Sequence, residues 1–199
     1  VMRVLIFGAG VIGSLYAVLF SRNRNVDVDI YARGSRLEVL RETGLRYRDH
    51  DAVHTANVRV IGRVDPDTVY DFVFVTVKEN QLHTALSELR EQVSPTLVTT
   101  VNSLDDYRTW ETICGAGRII PAFPGAGGSI EDGILDAALT PAFIQPTTFA
   151  EITGEKTIRA KQLHRLFRDA KIPCRMVKDM HLWQLCHLAM VVPIADAYY

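Results

Sequence analysis

The sequence predicts an α/β protein: a Rossmann-like, doubly wound, mostly parallel sheet. Three observations predict it. Short apolar runs alternate with stretches of helical spacing along the 199 residues, the pattern of a parallel sheet covered by helices. Asp71–Val77 (DFVFVTV) is almost wholly apolar and β-branched or aromatic, as a strand buried on both faces reads. The opening run Val4–Phe7 leads straight into glycines spaced G-x-G-x-x-G, and an amphipathic stretch with Val11, Leu15, Val18 and Leu19 follows.

Taken in order, residues 2–7 form a strand and 11–22 a helix. Val26–Tyr31 (VDVDIY) alternates apolar and polar residues, as a second strand does. A short helix covers 35–43 and ends at Gly44, a favoured residue just past a helix. The segment 45–62 reads as irregular strands or a β-excursion. After DFVFVTV, residues 80–92 return to helical spacing, with Leu82, Ala85, Leu86 and Leu89 on one face, and Pro95 breaks the pattern. Thr96–Val101 is a strand. Asp105–Cys114 is a helix with Tyr107, Trp110 and Ile113 in step, and Asp105 and Asp106 stand where acids cap an N-terminus. Arg118–Phe123 (RIIPAF) is a strand running into the loop PGAGG. Residues 142–153 read as two short strands, antiparallel at a sheet edge. An amphipathic helix follows at 157–171, then a strand Ile172–Val177, then a long apolar helix, Asp179–Tyr199, interrupted by Pro193. The division expected is a dinucleotide-binding domain over 1–170 and a linker with a terminal helix over 171–199.

A formal net charge of −1 gives no electrostatic case for nucleic acid or an anionic membrane. No run approaches the ~18–20 apolar residues that span a bilayer. Val1 before Met2 reads as a processing remnant, and the immediate entry into a strand leaves no room for a signal peptide. Cys114, Cys174 and Cys186 form no metal or redox pattern, which suggests reduced thiols and a cytoplasmic location. The histidines form no paired ligand motif, so no metal is expected.

The chemistry concentrates at strand ends, where open α/β sheets bind ligands. Gly8 lets the chain turn off the first strand, Gly10 lets backbone approach a pyrophosphate, and Gly13 lets the helix pack closely. The helix N-terminus then offers free N–H groups to phosphate. Arg33 follows the second strand, Lys78 follows DFVFVTV and Asn102 follows TLVTTV. An NAD site usually carries an acid at the tip of the second strand; here the tip reads Tyr31-Ala32-Arg33-Gly34-Ser35-Arg36. A guanidinium there suits a 2′-phosphate through charge-assisted hydrogen bonds, so NADP(H) is favoured.

The set GAGVIGSLYA, YARGSRLEVLRETGL, DFVFVTVKENQ and VTTVNS resembles the N-terminal NADP-binding domain of the ketopantoate reductase family, clearly over residues 2–155 and more loosely beyond. The resemblance implies an NADPH-dependent reduction of a 2-oxo acid to a 2-hydroxy acid. It implies that Gly8, Gly10, Val11, Ile12 and Gly13 hold the pyrophosphate and Arg33 the 2′-phosphate. Val77, Lys78 and Gln81 match the segment around the adenosine half, and Asn102 the residue near the nicotinamide ribose and substrate. The loop with Gly125 and Ala126 matches the segment closing over the nicotinamide end. Lys78 and Asn102 are the candidate catalytic residues.

Three departures qualify the resemblance. Asn102-Ser103 replaces the usual Asn-Gly. In the tail, Trp183-Gln184-Leu185 places a leucine where the family carries its lysine acid, with Ala189 and Pro193 where asparagines stand. Leucine cannot donate a proton, so the donor would be Lys78, His187 or a group in a region the chain lacks. The resemblance also implies that 171–199 is the linker and first helix of a truncated helical domain, the start of an all-helical C-terminal domain, because the chain ends before most of the family's helical domain. Its apolar last helix (Leu185, Leu188, Ala189, Met190, Val191, Val192, Ile194) is therefore expected to pair with another chain, as a homo-oligomer. Two functions follow: an NADPH-dependent reductase of a small 2-oxo acid or related carbonyl, or a catalytically silent NADP(H)-binding or redox-sensing module.

Overall fold

The first β-α-β unit forms where the residue pattern places it: β1 (Met2–Phe7), α1 (Val11–Ser21) and β2 (Val26–Tyr31). The computed structural model describes the backbone of residues 1–198 and the side chains of residues 1–190. α2 (Gly34–Thr43) leads to β3 (Arg46–Asp49), β4 (Ala52–Thr55) and β5 (Arg59–Ile61), the expected β-excursion. Then come β6 (Phe72–Val75), a 3-10 turn at Glu79–Gln81, α3 (Leu82–Glu88), β7 (Leu97–Thr99), α4 (Tyr107–Cys114) and β8 (Ile119–Phe123). The chain continues with β9 (Ala126–Glu131), β10 (Ile134–Leu139), β11 (Thr147–Phe149), α5 (Ile158–Asp169), β12 (Cys174–Met176) and α6 (Met180–Tyr198).

The main sheet has the order β12-β11-β8-β7-β6-β1-β2-β5. Its strands from β8 to β5 are parallel, and β11 turns antiparallel on β8. From β1 the chain winds out to β2 and β5, then returns to β6 on the other side of β1. That reversal makes the carboxyl ends of β1 and β6 the place for a ligand crevice. Alternate residues of each strand feed two cores. Val4, Ile6, Phe74 and Val98 pack with α1 and α5, while Leu5, Val73, Val75 and Leu97 pack with α3 and α4. The near-continuous apolar strands are thus explained by burial on both faces.

Several expectations need correction. Residues 142–153 hold one strand, β11, in place of the two expected, and it lies between β8 and β12 rather than at the sheet's edge. The PGAGG segment is not a loop beyond Gly125: Ala126 opens β9, which pairs antiparallel with β10 in a second sheet, β4-β3-β10-β9. Glycine serves pairing here, since a Cβ on Gly128 would strike the Asp136 and Ala137 backbone. Of the two acids before α4, only Asp106 caps it, accepting from the Arg108 N–H. Asp105 instead accepts from Trp110 Nε1 at 3.1 Å and pairs with His83 at 2.8 Å.

The sheet runs past residue 170, because β12 pairs with β11. Buried Glu151 anchors α5: it accepts from Arg159 Nε at 2.7 Å and from the Thr157 hydroxyl, and Arg159 also donates to the Gly117 carbonyl at 2.6 Å. Arg118 donates to the carbonyls of Leu89 and Cys114, satisfying orphan acceptors at the ends of α3 and α4, and to that of Ser94 in the connection to β7. α6 runs on through Pro193 without the expected interruption, its backbone helical to Tyr198, since a proline forfeits one helical hydrogen bond that the rest of a long helix can outweigh. The expected apolar side chains Val191, Val192 and Ile194 lie outside the described residues.

Candidate functional site

A cleft of about 340 Å³ opens at the carboxyl ends of β1, β2 and β6. Phe7, Gly8, Ala9 and Gly10 form its floor, Tyr31, Ala32, Arg33 and Arg36 one wall, and Thr76, Val77, Lys78 and Gln81 the other. Gly8, Gly10, Arg33, Val77, Lys78 and Gln81, all singled out from the sequence, therefore meet in one place. Val11, Ile12 and Gly13 follow as the first residues of α1.

The three glycines differ in what they meet. Gly8 has φ +122°, and a Cβ there would lie 2.9 Å from the Thr76 carbonyl oxygen; both facts require glycine. A Cβ on Gly13 would run into the Gly8 carbonyl oxygen and Thr76 Oγ1, so α1 sits directly on the strand ends. Gly10 has an ordinary φ of −75°, and a Cβ there would meet no protein atom within 4 Å. Nothing within the protein demands glycine at position 10; the open space beside it belongs to the cleft. The N-terminus of α1 carries no side-chain cap and no acid in its first turn, which leaves its N–H groups and partial positive charge free for an anion. The residues present thus fit a pyrophosphate.

Two side chains that fix this geometry were not given that role by sequence reasoning. Thr76 donates its hydroxyl to the Gly8 carbonyl at 2.7 Å and pins the turn. Arg36, grouped with Arg33 as a phosphate ligand, turns inward instead. Its Nε donates to the Ala9 carbonyl at 3.0 Å and its Nη2 to Ser14 Oγ at 3.3 Å, bracing the glycine turn. Arg33 stays exposed at the lip and pairs with Glu88 at 2.8 Å. Asp29 is not a ribose ligand: it is buried and accepts from Arg59 Nε at 2.8 Å and the Tyr70 hydroxyl at 2.6 Å.

Asn102 is exposed past the end of β7, outside the lining of the cleft. Its orientation follows from a chain of obligatory donors and acceptors. The buried Gln184 of α6 donates Nε2 to the Val101 carbonyl at 3.1 Å, an acceptor that cannot donate. The same amide nitrogen donates to Asn102 Oδ1 at 3.2 Å, and Gln184 Oε1 accepts from the Tyr107 hydroxyl at 2.7 Å. Asn102 therefore has its Oδ1 committed to Gln184 and its NH2 end turned away from that bond. Gln184→Leu is expected to destabilise the chain by about 1–3 kcal/mol, because buried partners lose their bonds. It should also shift the Asn102 side-chain amide resonance, identified by its loss in Asn102→Asp. An unmoved resonance would contradict this positioning.

Leu185, next along α6, is 42% exposed. His187 stacks on Trp183 with ring centroids 5.0 Å apart and leans on Phe123 at 4.5 Å. Burial pushes its pKa below the usual histidine value. Gly125 is buried against the 145–147 backbone, and it and Ala126 are not among the cleft-lining residues. Among the described residues there is no cluster of three or more His, Cys, Asp or Glu able to hold a metal. None of the described helices is long and apolar enough to cross a membrane.

The family model described as ketopantoate reductase PanE/ApbA matches residues 4–133. The chain is 30% identical over 138 residues to 2-dehydropantoate 2-reductase of Mesorhizobium japonicum, a match covering 68% of this chain. The solved structure of 2-dehydropantoate 2-reductase from Porphyromonas gingivalis is similar with a TM-score of 0.79 at 19% identity, over 98% of this chain and 71% of that one. D-mandelate dehydrogenase, solved with NADH and anilino(oxo)acetate, is similar with a TM-score of 0.74 at 16% identity, over 90% of this chain and 58% of that one. At these identities the structural likenesses show the fold. The chain spans 38% and 58% of the lengths of two curated relatives, both 2-dehydropantoate 2-reductases.

Proposed function

Because the chain belongs to the ketopantoate reductase PanE/ApbA family, we propose that it is the nucleotide-binding part of an NADPH-dependent reductase of a 2-oxo acid or related carbonyl. The observation that carries this reading is the cleft. It joins an uncapped helix N-terminus, open space at Gly10, and the cations Arg33, Arg36 and Lys78. The relatives named for 2-dehydropantoate, and the neighbour solved with NADH and an oxoacetate derivative, support a small oxo acid as substrate. In this reading the nucleotide domain expected over 1–170 takes in β12 as well, and α6 begins a helical domain that closes over the substrate. Gly125 and Ala126 lie towards the nicotinamide end. The protein works in the cytoplasm as a homo-oligomer, with the exposed Leu182, Leu185 and Met190 of α6 at the contact.

Bound nicotinamide supplies the hydride. The chain's own residues bind and orient. The N–H groups of Val11, Ile12 and Gly13 face the pyrophosphate, and Arg33 takes the 2′-phosphate. Val77 and Gln81 line the adenosine side, and Lys78 balances phosphate charge or reaches the substrate. Asn102, its carbonyl end held by Gln184, donates from its NH2 to the substrate oxygen. Leu185 supplies no proton, which favours a second reading: a silent NADP(H)-binding or redox-sensing module.

Titration with NADPH and NADH, read by nucleotide fluorescence, tests the common part. Tight NADPH binding is expected, and Arg33→Ala should weaken it by about 1–3 kcal/mol, the worth of charged hydrogen bonds, while leaving NADH nearly unchanged. Equal losses for both nucleotides would reject the 2′-phosphate assignment. Turnover of NADPH with a panel of 2-oxo acids then separates reductase from silent module.

A further inference from the structure

Arg33 is not free at the lip of the cleft. Its Nη1 donates to Glu88 Oε1 at 2.8 Å, and the Tyr31 hydroxyl donates to Glu88 Oε2 at 3.4 Å. Tyr31 is itself fixed by Phe7, its ring centroid 4.5 Å away. The acid missing from the strand-two tip in sequence is therefore supplied in space, from the last turn of α3, 55 residues further along. Helix geometry gives no reason for an acid there, since a negative charge is unfavourable at a helix C-terminus. Its two partners both belong to the end of β2 and the turn after it.

We propose that Glu88 sets the choice between NADPH and NADH by competing with the 2′-phosphate for Arg33. This rests on the nucleotide reading given above. A 2′-phosphate arriving at Arg33 either displaces the carboxylate from Nη1 or shares the guanidinium with it, and two anions on one guanidinium repel each other. A ribose 2′-hydroxyl is a donor, which a carboxylate accepts, as the strand-tip acid of NAD sites does. Glu88 thus restrains the NADPH preference that Arg33 creates and keeps NADH binding appreciable.

Glu88→Gln preserves an oxygen for Arg33 and Tyr31 and removes the charge. Dissociation constants of NADPH and NADH are measured on the intact chain by nucleotide fluorescence, at low and moderate salt. The ratio of NADH to NADPH constants is expected to rise about twofold to fivefold in Glu88→Gln, the scale of exposed charge pairs, and less at higher salt. In an Arg33→Ala background the same substitution should no longer strengthen NADPH. Binding of both nucleotides with an unchanged ratio in Glu88→Gln overturns this proposal alone. No binding of either nucleotide to the unsubstituted chain overturns the dinucleotide reading, and the role of Glu88 with it.

Discussion

A Gly10→Val chain is expected to melt within about 1 kcal/mol of the unsubstituted protein, the scale of exchanging an N-cap residue. It should nonetheless bind NADPH about a hundredfold more weakly, the upper range for forcing extra methyl groups into a filled space. The reasoning is local. Gly10 has an ordinary φ, and an added Cβ there would meet no protein atom within 4 Å. The space it would enter lies over the start of α1, where the proposed function puts the pyrophosphate. Gly13→Val makes the contrast, because its Cβ would meet the Gly8 carbonyl oxygen and Thr76 Oγ1 and should disrupt folding itself. Thermal melting with nucleotide titration separates the two. Unaltered NADPH affinity in a folded Gly10→Val chain would remove the pyrophosphate from this turn.

The second large effect lies far from the cleft. Glu151→Gln should cost about 3–5 kcal/mol of stability, because it leaves the guanidinium of Arg159 without its buried partner. Glu151 is 5% exposed, and Arg159 ties it to the Gly117 carbonyl and so joins α5 to the sheet. Burial raises the Glu151 pKa, but the bonds from Arg159 and Thr157 outweigh it, and the net shift is downward. A carboxyl with a folded-state pKa below its unfolded value contributes stability that is present above the unfolded value of about 4.5 and is lost as pH falls through the folded one. Denaturant titrations from pH 7 downward should therefore show the unsubstituted chain losing stability below about pH 4.5. Glu151→Gln should start lower and lose less over that range. Equal stability of the two chains at pH 7 would refute the role given to this pair.

Much of the site was legible in the residues because the relevant signals are short. G-x-G-x-x-G after an apolar run, arginine at the next strand tip, and lysine and asparagine after two more strands each need only a few neighbours to be read. The β9–β10 hairpin was equally local but was overlooked. Asp132 and Gly133 both adopt positive φ, as a two-residue hairpin turn requires, and Asp-Gly is the sequence signal for it. Reading the glycines at 125, 127 and 128 as loop punctuation hid a strand whose glycine at 128 permits close backbone pairing.

The sequence by itself determined the alternation of strands and helices, the glycine turn at the end of β1, and the absence of an acid beside Arg33. These depend on periodicity and on what each residue's own backbone and side chain can do. Only the tertiary structure decided that Glu88 supplies that acid from 55 residues away and that Gln184, 82 residues from Asn102, turns the asparagine's NH2 outward. It alone showed Arg36 bracing the turn and Asp29 committed to Arg59 and Tyr70. The physical reason is that a hydrogen bond or ion pair is a property of distance and direction between two groups, and sheet topology, not chain spacing, sets both.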